Sequence, residues 1–278
     1  MKHKLKAKNP AYQALSILVL CLLALFFFFP LFWIISGSFK TAVEINSPQP
    51  SLLPETFTLD NYLRLFKNPA LRWLGNTIFM AVTAMLLTCI TAALAGYVLA
   101  KKRFFGRTLI FSLLVSAMAL PKQVILIPLL REMAFLKMHD TLWAVILPTV
   151  AWPFGVFLMK QFSENIPGEM LEAAKIDGAS ELRCFTSVVL PMIKPGIGAL
   201  AIFTFISAWN DYFLQLIMIN STPKLTISLG IAKLQAEMST DFGLIMAGAA
   251  LAAVPIITVF LLFQKYFTQG ITMGAVKG

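Results

Sequence analysis

Long runs of apolar residues alternate with short polar segments along this chain of 278 residues. Six runs are free or nearly free of charge, and each reaches or approaches the ~20 residues that a helix needs to cross a bilayer about 30 Å thick. The predicted spans are 14–36, 73–100, 108–130, 141–159, 196–219 and 242–264. The pattern therefore predicts an all-α integral membrane protein with six transmembrane helices.

Proline residues lie inside or between several of these runs and predict bends rather than straight helices. They are Pro121, Pro128, Pro148, Pro153 and Pro255. Each proline lacks an N–H donor and so frees a carbonyl group, which a helix facing lipid could not satisfy. We therefore expect the bends to face the interior of the bundle, where they serve either movement or static packing.

The composition agrees with a bilayer as the main solvent. The chain is 58% hydrophobic and 13% charged, whereas soluble domains are about 25% charged. The net charge is +10, but the basic residues form short clusters beside apolar runs, without a basic face that carries interleaved aromatic residues. Positive charge in this pattern orients a membrane protein, so the lipid bilayer is an expected partner and nucleic acid is not.

The placement of Lys and Arg predicts which side of the membrane each polar segment faces. With a cytoplasmic N-terminus, the inside segments hold 14 of the 23 basic residues, including the cluster KKRFFGR at 101–107. The positive-inside rule therefore predicts that both termini are cytoplasmic. We expect a cytoplasmic N-terminal segment, 1–13, and one transmembrane domain, 14–278. The first apolar run exceeds the roughly 7–15 residues of a signal-peptide core, so we expect it to be a retained span.

A charged segment, 160–195, separates two of the apolar runs. Within it, Pro167 suits the first turn of a helix, Glu169 suits the positive end of the helix dipole, and Gly178 suits a left-handed residue after the helix. These signals predict a helix of about ten residues, followed by a second helix from about Ser180. So short a helix needs a packing surface, which is either the chain's own spans or a soluble partner.

The same segment resembles the EAA signature of ABC importer permeases. The motif EAA-x3-G-x9-V-x-L-P begins at Glu172, and its one departure from the family pattern is Val188, where the family has Ile. The resemblance implies a type I ABC importer permease fold, with a cytoplasmic coupling helix that sits in a cleft of an ATPase subunit. The coupling residues that it implies are Glu172, Ala173, Ala174, Asp177, Gly178, Leu190 and Pro191.

The resemblance extends over nearly the whole chain. Stretches such as FISAWNDYF and the ending GITMGAVKG are similar to the MalG-like permeases of carbohydrate uptake. This implies a subunit of a sugar importer in the bacterial cytoplasmic membrane, carrying a sugar or an oligosaccharide. It also implies a second permease subunit in a heterodimer, ATPase subunits that bind ATP and Mg, and an extracytoplasmic sugar-binding protein. No cofactor is expected in this chain itself.

One acidic residue, Asp211, lies inside the fifth apolar run, about 23 Å from the inner end of that span. An ionisable group at such a depth is a candidate for function. Trp209 could stack on a sugar ring, and Asn210 and Asp211 could bind its hydroxyl groups, so the three form a candidate substrate path. Alternatively, the aromatic residue marks the membrane interface, and Asp211 pairs with Lys224 or lies in a wet vestibule.

Residues for catalysis or metal binding are not evident in the sequence. The three cysteines, Cys21, Cys89 and Cys184, and the two histidines show no metal-ligand spacing. The chain has no GxxxxGK[ST] motif, so ATP hydrolysis requires a separate subunit. An integral membrane transferase would need paired acids or metal ligands, and a proton-coupled transporter would need several buried acids and an inverted repeat. The open alternative is an ABC importer permease for a solute other than a sugar.

Overall fold

The computed structural model describes residues 10–237 and 241–275, with side chains for 11–237 and 241–264. The basic cluster at 2–8, most of the N-terminal segment 1–13 and the last residues of GITMGAVKG lie outside the described residues. Within the described ranges the chain forms helices and connecting segments without strands. This confirms the all-α prediction.

The chain divides into two compact units, which are considered separately. The first unit contains residues 1–68 and 233–251, and its side chains tie the segment after the first helix together. The Asn61 amide donates to the carbonyl oxygens of Ser38, at 2.9 Å, and Lys40, at 2.8 Å, and Arg64 pairs with Asp241. The helices of this unit are α1 (Pro10–Ser38), α2 (Ala42–Ile45) and α3 (Asp60–Lys67).

The first helix, α1, is apolar on all sides. Its most apolar window has a mean hydropathy of 2.9, and none of that window is buried by the chain. A helix that is hydrophobic all round suits lipid or a neighbouring protein rather than water. The prediction of a first membrane span is therefore supported, although the helix is longer than the predicted 14–36.

The second unit contains residues 69–232 and 252–278. Two further helices, α14 (Ile227–Glu237) and α15 (Phe242–Ala275), run through residues of both units. A π-helical stretch, Phe185–Val189, joins α10 (Glu181–Cys184) to α11 (Leu190–Met192). The helices are α4 (Ala70–Lys101), α5 (Arg107–Met118), α6 (Lys122–Phe135), α7 (Trp143–Val150), α8 (Phe154–Glu164), α9 (Gly168–Ile176), α10 (Glu181–Cys184), α11 (Leu190–Met192), α12 (Lys194–Asn210), α13 (Tyr212–Met218), α14 (Ile227–Glu237) and α15 (Phe242–Ala275).

The long helix α4 is the centre of the second unit and packs against α8 and α12. Small residues allow this close approach, as is usual between helices in membranes. A Cβ added at Gly96 would lie 2.6 Å from the Cβ of Met159 and 2.6 Å from the backbone nitrogen of Lys160. Gly96 is thus required by the crossing of α4 with α8.

Four of the predicted spans are present in the structure as single long helices or nearly continuous ones. These are Ala11–Ser38, Ala70–Lys101, Trp143–Glu164 and Phe242–Gln264. Two bent helix pairs bring the number of candidate spans to six if each pair counts as one span. The pairs are Arg107–Met118 with Lys122–Phe135, bent by 108°, and Glu181–Met192 with Lys194–Asn210, bent by 76°.

Two spans differ from the continuous helices that the apolar runs predict. The third run, 108–130, turns sharply between α5 and α6, where Pro121 precedes the first residue of α6 and cannot donate a backbone hydrogen bond. The fifth run, 196–219, is interrupted at Asp211, whose ψ of 67° is not helical. Asp211 instead caps the next helix, because its carboxylate accepts a hydrogen bond from the Leu214 amide at 3.4 Å.

Candidate functional site

The predicted coupling helix is present as α9. Pro167 precedes it, and Gly178 follows it with a φ of +80°, in the left-handed region. The Gly178 amide donates to the carbonyl of Lys175 at 3.0 Å, and the Ala179 amide donates to the carbonyl of Ala174 at 2.9 Å. This pair of bonds is the Schellman arrangement that ends a helix at a glycine. The predicted stop of this helix is confirmed, and the helix begins at Gly168, so that Pro167 precedes the first turn instead of lying in it.

One face of α9 is anchored to the chain itself. Leu171 is 8% exposed and belongs to a buried apolar cluster, and Ala174 packs against the edge of that cluster. The other buried members come from α4, α8, α12 and the segments on both sides of α9. They are Ala92, Ala93, Tyr97, Met159, Ile166, Cys184, Phe185, Val189, Ile193 and Leu200. The anchor therefore links the short helix to the ends of three long ones.

The opposite face of α9 is not covered by the chain. Ile176 is 87% exposed and Met170 is 43% exposed, and Ala173 between them is also exposed. Large apolar side chains are rarely presented together on a surface unless a partner covers them. One alanine and two larger apolar side chains form a face that another protein surface can approach closely.

Two basic residues at the end of α4 hold the coupling segment. The ammonium group of Lys101 donates to the carbonyl oxygen of Ile166 at 2.5 Å, and Lys102 pairs with the carboxylate of Glu181. Glu181 also pairs with Lys175 on α9, at 2.8 Å. These contacts connect both ends of α9 to the second span. Sequence reasoning missed them, although the positive-inside pattern had placed the Lys101–Lys102 cluster on the same side of the membrane as the coupling segment.

The structure brings most of the predicted coupling residues onto one short element and leaves two apart. Glu172, Ala173, Asp177 and Gly178 are exposed on or just after α9, and Ala174 is half-buried. Leu190 and Pro191 lie in α11, beyond the π-helical stretch, and are exposed there. The first group can contact a docked partner, and the second group marks the entry into α12.

The break in the fifth span sets Asp211 apart from Trp209 and Asn210, which are the last two residues of α12. Trp209 is 2% exposed, and its ring packs on Phe205 with the centroids 5.4 Å apart. The Asn210 amide donates to the Ile206 carbonyl of its own helix at 2.9 Å. Asp211 lines a cavity. The ring of Trp209 is therefore not accessible to a sugar in this conformation.

Asp211 lies beside a lysine that the sequence alternative did not identify. The Lys122 ammonium is 3.4 Å from the Asp211 carboxylate and 4.9 Å from the centroid of the Trp152 ring. The alternative that paired Asp211 with Lys224 is wrong, because Lys224 pairs with Asp140 at 3.0 Å. The sequence does not indicate which lysine lies near Asp211. Only the fold brings Lys122, 89 positions away, to this carboxylate.

The cavity beside Asp211 adjoins a second one. The two have volumes of about 70 Å³ and 80 Å³ and share Lys122, Thr149 and Trp152 as walls. Each is smaller than the roughly 300 Å³ of a closed site for a small molecule. The described residues contain no group of three His, Cys, Asp or Glu side chains that could hold a metal ion.

Comparisons with known proteins identify the family of this chain. Residues 92–273 match the family described as "Binding-protein-dependent transport system inner membrane component". The chain is similar to the arabinooligosaccharides transport system permease protein AraQ of Halalkalibacterium halodurans, with 33% identity over 254 residues that cover 90% of this chain and 91% of that protein.

Two solved structures have a similar fold. One is a bacterial ABC transporter involved in the import of the acidic polysaccharide alginate, with a TM-score of 0.81, 23% identity and coverage of 92% of this chain and 96% of that chain. The other is a bacterial alginate ABC transporter in complex with an alginate pentasaccharide-bound periplasmic protein, with a TM-score of 0.62, 14% identity and coverage of 90% and 92%. At these identities the likeness shows the fold.

The family match includes the coupling segment and every residue that lines the Asp211 cavity. The similarity to AraQ extends over 90% of this chain. The chain therefore belongs to the family of binding-protein-dependent transport system inner membrane components, and it is a multi-pass permease subunit of an ABC importer rather than an enzyme.

Proposed function

We propose that this chain forms half of the translocation pathway of an ATP-driven sugar importer. The observation that carries the proposal is the two-sided surface of α9, which anchors Leu171 in the chain and leaves Ile176 uncovered. A cytosolic ATPase subunit fits this surface, because a short helix with small and apolar side chains can enter a cleft between larger elements. The acidic residues Glu172 and Asp177 lie beside the apolar face and suit basic groups at the rim of such a cleft.

The same contacts suggest how movement passes into the membrane. The ATPase subunits bind ATP and Mg, and their closure displaces α9. The Lys102–Glu181–Lys175 contacts and the Leu171 cluster transmit that displacement to α4, α8 and α12. Because protein interiors are close-packed, the long helices respond as rigid elements rather than by local compression.

The proposed assembly contains four kinds of partner around this chain. They are a second permease subunit in a heterodimer, ATPase subunits, an extracytoplasmic binding protein and the lipid bilayer. Both termini lie in the cytoplasm of a bacterium, in line with the excess of Lys and Arg on that side. The family description, which specifies binding-protein dependence, supports the extracytoplasmic partner.

The proposed substrate is a sugar or an oligosaccharide. Support comes from the name of the relative AraQ, which specifies arabinooligosaccharides. Among the candidate residues, Trp209 is buried and Asn210 is exposed, and Asp211 lines a cavity. A permease for a different solute remains the alternative, and uptake of labelled mono-, di- and oligosaccharides in a deletion strain separates the two.

Docking of the ATPase is tested by enlarging an exposed alanine. Ala173→Trp adds bulk to the exposed face of α9 without meeting the chain's own core, and Gly178→Pro removes the hydrogen bond to Lys175 and the left-handed backbone. Both should abolish co-purification with the ATPase subunit. Ala134→Trp, at an exposed alanine of α6, is the matched control. If ATPase binding and uptake survive both changes, coupling through α9 is wrong.

A further inference from the structure

Three of the interruptions in the helical spans of the second unit meet at the same cavity. Lys122 is the first residue after the turn between α5 and α6. Trp152 lies in the break between α7 and α8. Asp211 is the residue between α12 and α13. Each interruption contributes one polar or aromatic side chain to a common wall.

Interrupted helices at membrane depth have a physical requirement. Non-helical backbone is tolerated there only where it is buried in protein or lines a cavity that admits water. Asp211 lies about 25 Å from the start of α12 along the helix axis, which is in the outer part of an apolar layer about 30 Å thick. Three separate interruptions at one place are better explained by a polar cavity than by three unrelated packing bends.

The side chains of this wall have the chemistry that recognises a sugar. The carboxylate of Asp211 accepts hydrogen bonds from hydroxyl groups, and the ammonium of Lys122 donates to them. The Lys122 ammonium and the Asp211 carboxylate are 3.4 Å apart, which is long for a charge-assisted hydrogen bond. The Asp211 side chain is 21% exposed. The Trp152 ring provides an apolar surface for the C–H groups of a sugar ring.

The charge of the wall indicates which sugars it suits. Lys122 and Asp211 neutralise each other, and the remaining described residues that line the two cavities carry no charge. A carboxylate on the solute would gain from Lys122 but would be repelled by Asp211. The wall therefore favours an uncharged carbohydrate over a uronate.

We propose that Lys122, Trp152 and Asp211 form a subsite at which this subunit contacts an uncharged carbohydrate during passage. This inference rests on the proposed function and adds the contact residues and the charge class of the solute. Each cavity is too small to enclose a sugar, so the subsite is an open wall completed by other parts of the pathway.

The test uses the complete transporter, with its partner subunits and binding protein, in proteoliposomes. Uptake is measured with labelled arabinotriose and maltotriose as uncharged probes and with trimannuronate as the acidic probe. Lys122→Gln and Asp211→Asn should each lower uptake of the uncharged sugars roughly tenfold or more, because each removes a hydrogen bond to a charged group. ATP hydrolysis stimulated by the binding protein is measured in the same proteoliposomes, to distinguish loss of passage from loss of assembly.

The matched controls are on α6, the helix that begins with Lys122. Arg131→Gln and Glu132→Gln change charge by the same amounts on α6, but neither residue lines these cavities. Both should leave uptake within about twofold of wild type. A control that lowers uptake as strongly as Lys122→Gln would show a general requirement for charge on α6 and would overturn the subsite.

A second measurement does not depend on altering the polar side chains. Phe213, on the cavity wall, is replaced by p-azidophenylalanine, with the same change at Phe135, which is 86% exposed and outside the cavity, as control. Illumination during uptake should cross-link labelled arabinotriose or maltotriose at 213 and not at 135.

The outcomes separate the subsite from the function on which it rests. If the wild-type transporter imports uncharged sugars but no cross-link forms at 213, or if both cavity variants import normally, the subsite is refuted and the sugar importer stands. Import of trimannuronate alone refutes the charge preference. If none of the probes is imported, the proposed function fails, and the subsite fails with it.

Discussion

The attachment of α9 to the permease can be tested by comparing two leucine-sized side chains on the same helix. Leu171 is 8% exposed within the apolar cluster, whereas Ile176 is 87% exposed. Truncation of a buried leucine to alanine removes its transfer free energy and leaves a cavity, which together cost about 2–4 kcal/mol. Truncation of an exposed isoleucine costs less than about 0.5 kcal/mol.

A helix of nine residues cannot retain its structure without packing. Loss of the Leu171 contacts should therefore appear as local unfolding of α9 rather than as unfolding of the long helices. Since 1.4 kcal/mol is a factor of ten, protection of the α9 amides against hydrogen exchange should fall roughly 30-fold to 1,000-fold in Leu171→Ala. In Ile176→Ala it should change by less than about threefold.

The assay is hydrogen exchange followed by mass spectrometry on the full-length chain in lipid nanodiscs, with peptides that cover α9 and α12. Peptides from α12 should exchange alike in both variants. Equal protection of α9 in Leu171→Ala and Ile176→Ala would refute the conclusion that one face of this helix is anchored and the other free.

Three other predictions follow from single contacts. Gly96→Val should lower the thermal unfolding temperature by destabilising the α4–α8 crossing by about 1–3 kcal/mol, because its Cβ would meet Met159 at 2.6 Å; an unchanged unfolding temperature would contradict that close approach. Burial opposes ionisation of Asp140, but hydrogen bonds from Ser221 and its neighbours hold the pKa of its carboxyl well below the usual range. Its contribution to stability should be fully present above about pH 4 and be lost at lower pH, so that a thermal unfolding series from pH 7 to pH 3 should fall more steeply for wild type than for Asp140→Asn. Lys224→Gln should loosen the loop that Asp140 holds, seen as faster hydrogen exchange at 219–224, and unaltered exchange would show that the pair is dispensable.

The sequence predicted the coupling helix well because its signals are local. Pro167 and Gly178 act through the backbone of their own helix, and the hydrogen bonds that end α9 join residues at most five positions apart. The apolar runs likewise predicted the long helices, since any span must be about 20 residues long. These features do not depend on which parts of the chain become neighbours.

The cavity could not be predicted in the same way. A run of apolar residues gives no indication that the helix ends at Asn210, because the break depends on the Asp211 side chain capping the next helix. Lys122 lies 89 positions from its partner Asp211, and Lys102 lies 79 positions from its partner Glu181. Their proximity in space is set only by the packing of the helices. From the sequence, Trp209 was a candidate for stacking on a sugar ring. The fold buries Trp209, and Trp152 lines the cavity instead.

The central claim, that α9 faces the cytoplasm and receives an ATPase subunit, is tested most directly by labelling Ala173→Cys in a chain whose Cys21, Cys89 and Cys184 have been replaced. A membrane-impermeant maleimide should react with this cysteine only from the cytoplasmic side of oriented vesicles, and addition of the ATPase subunit should block the reaction. Labelling from the outside, or labelling that the ATPase subunit leaves unchanged, would contradict the account.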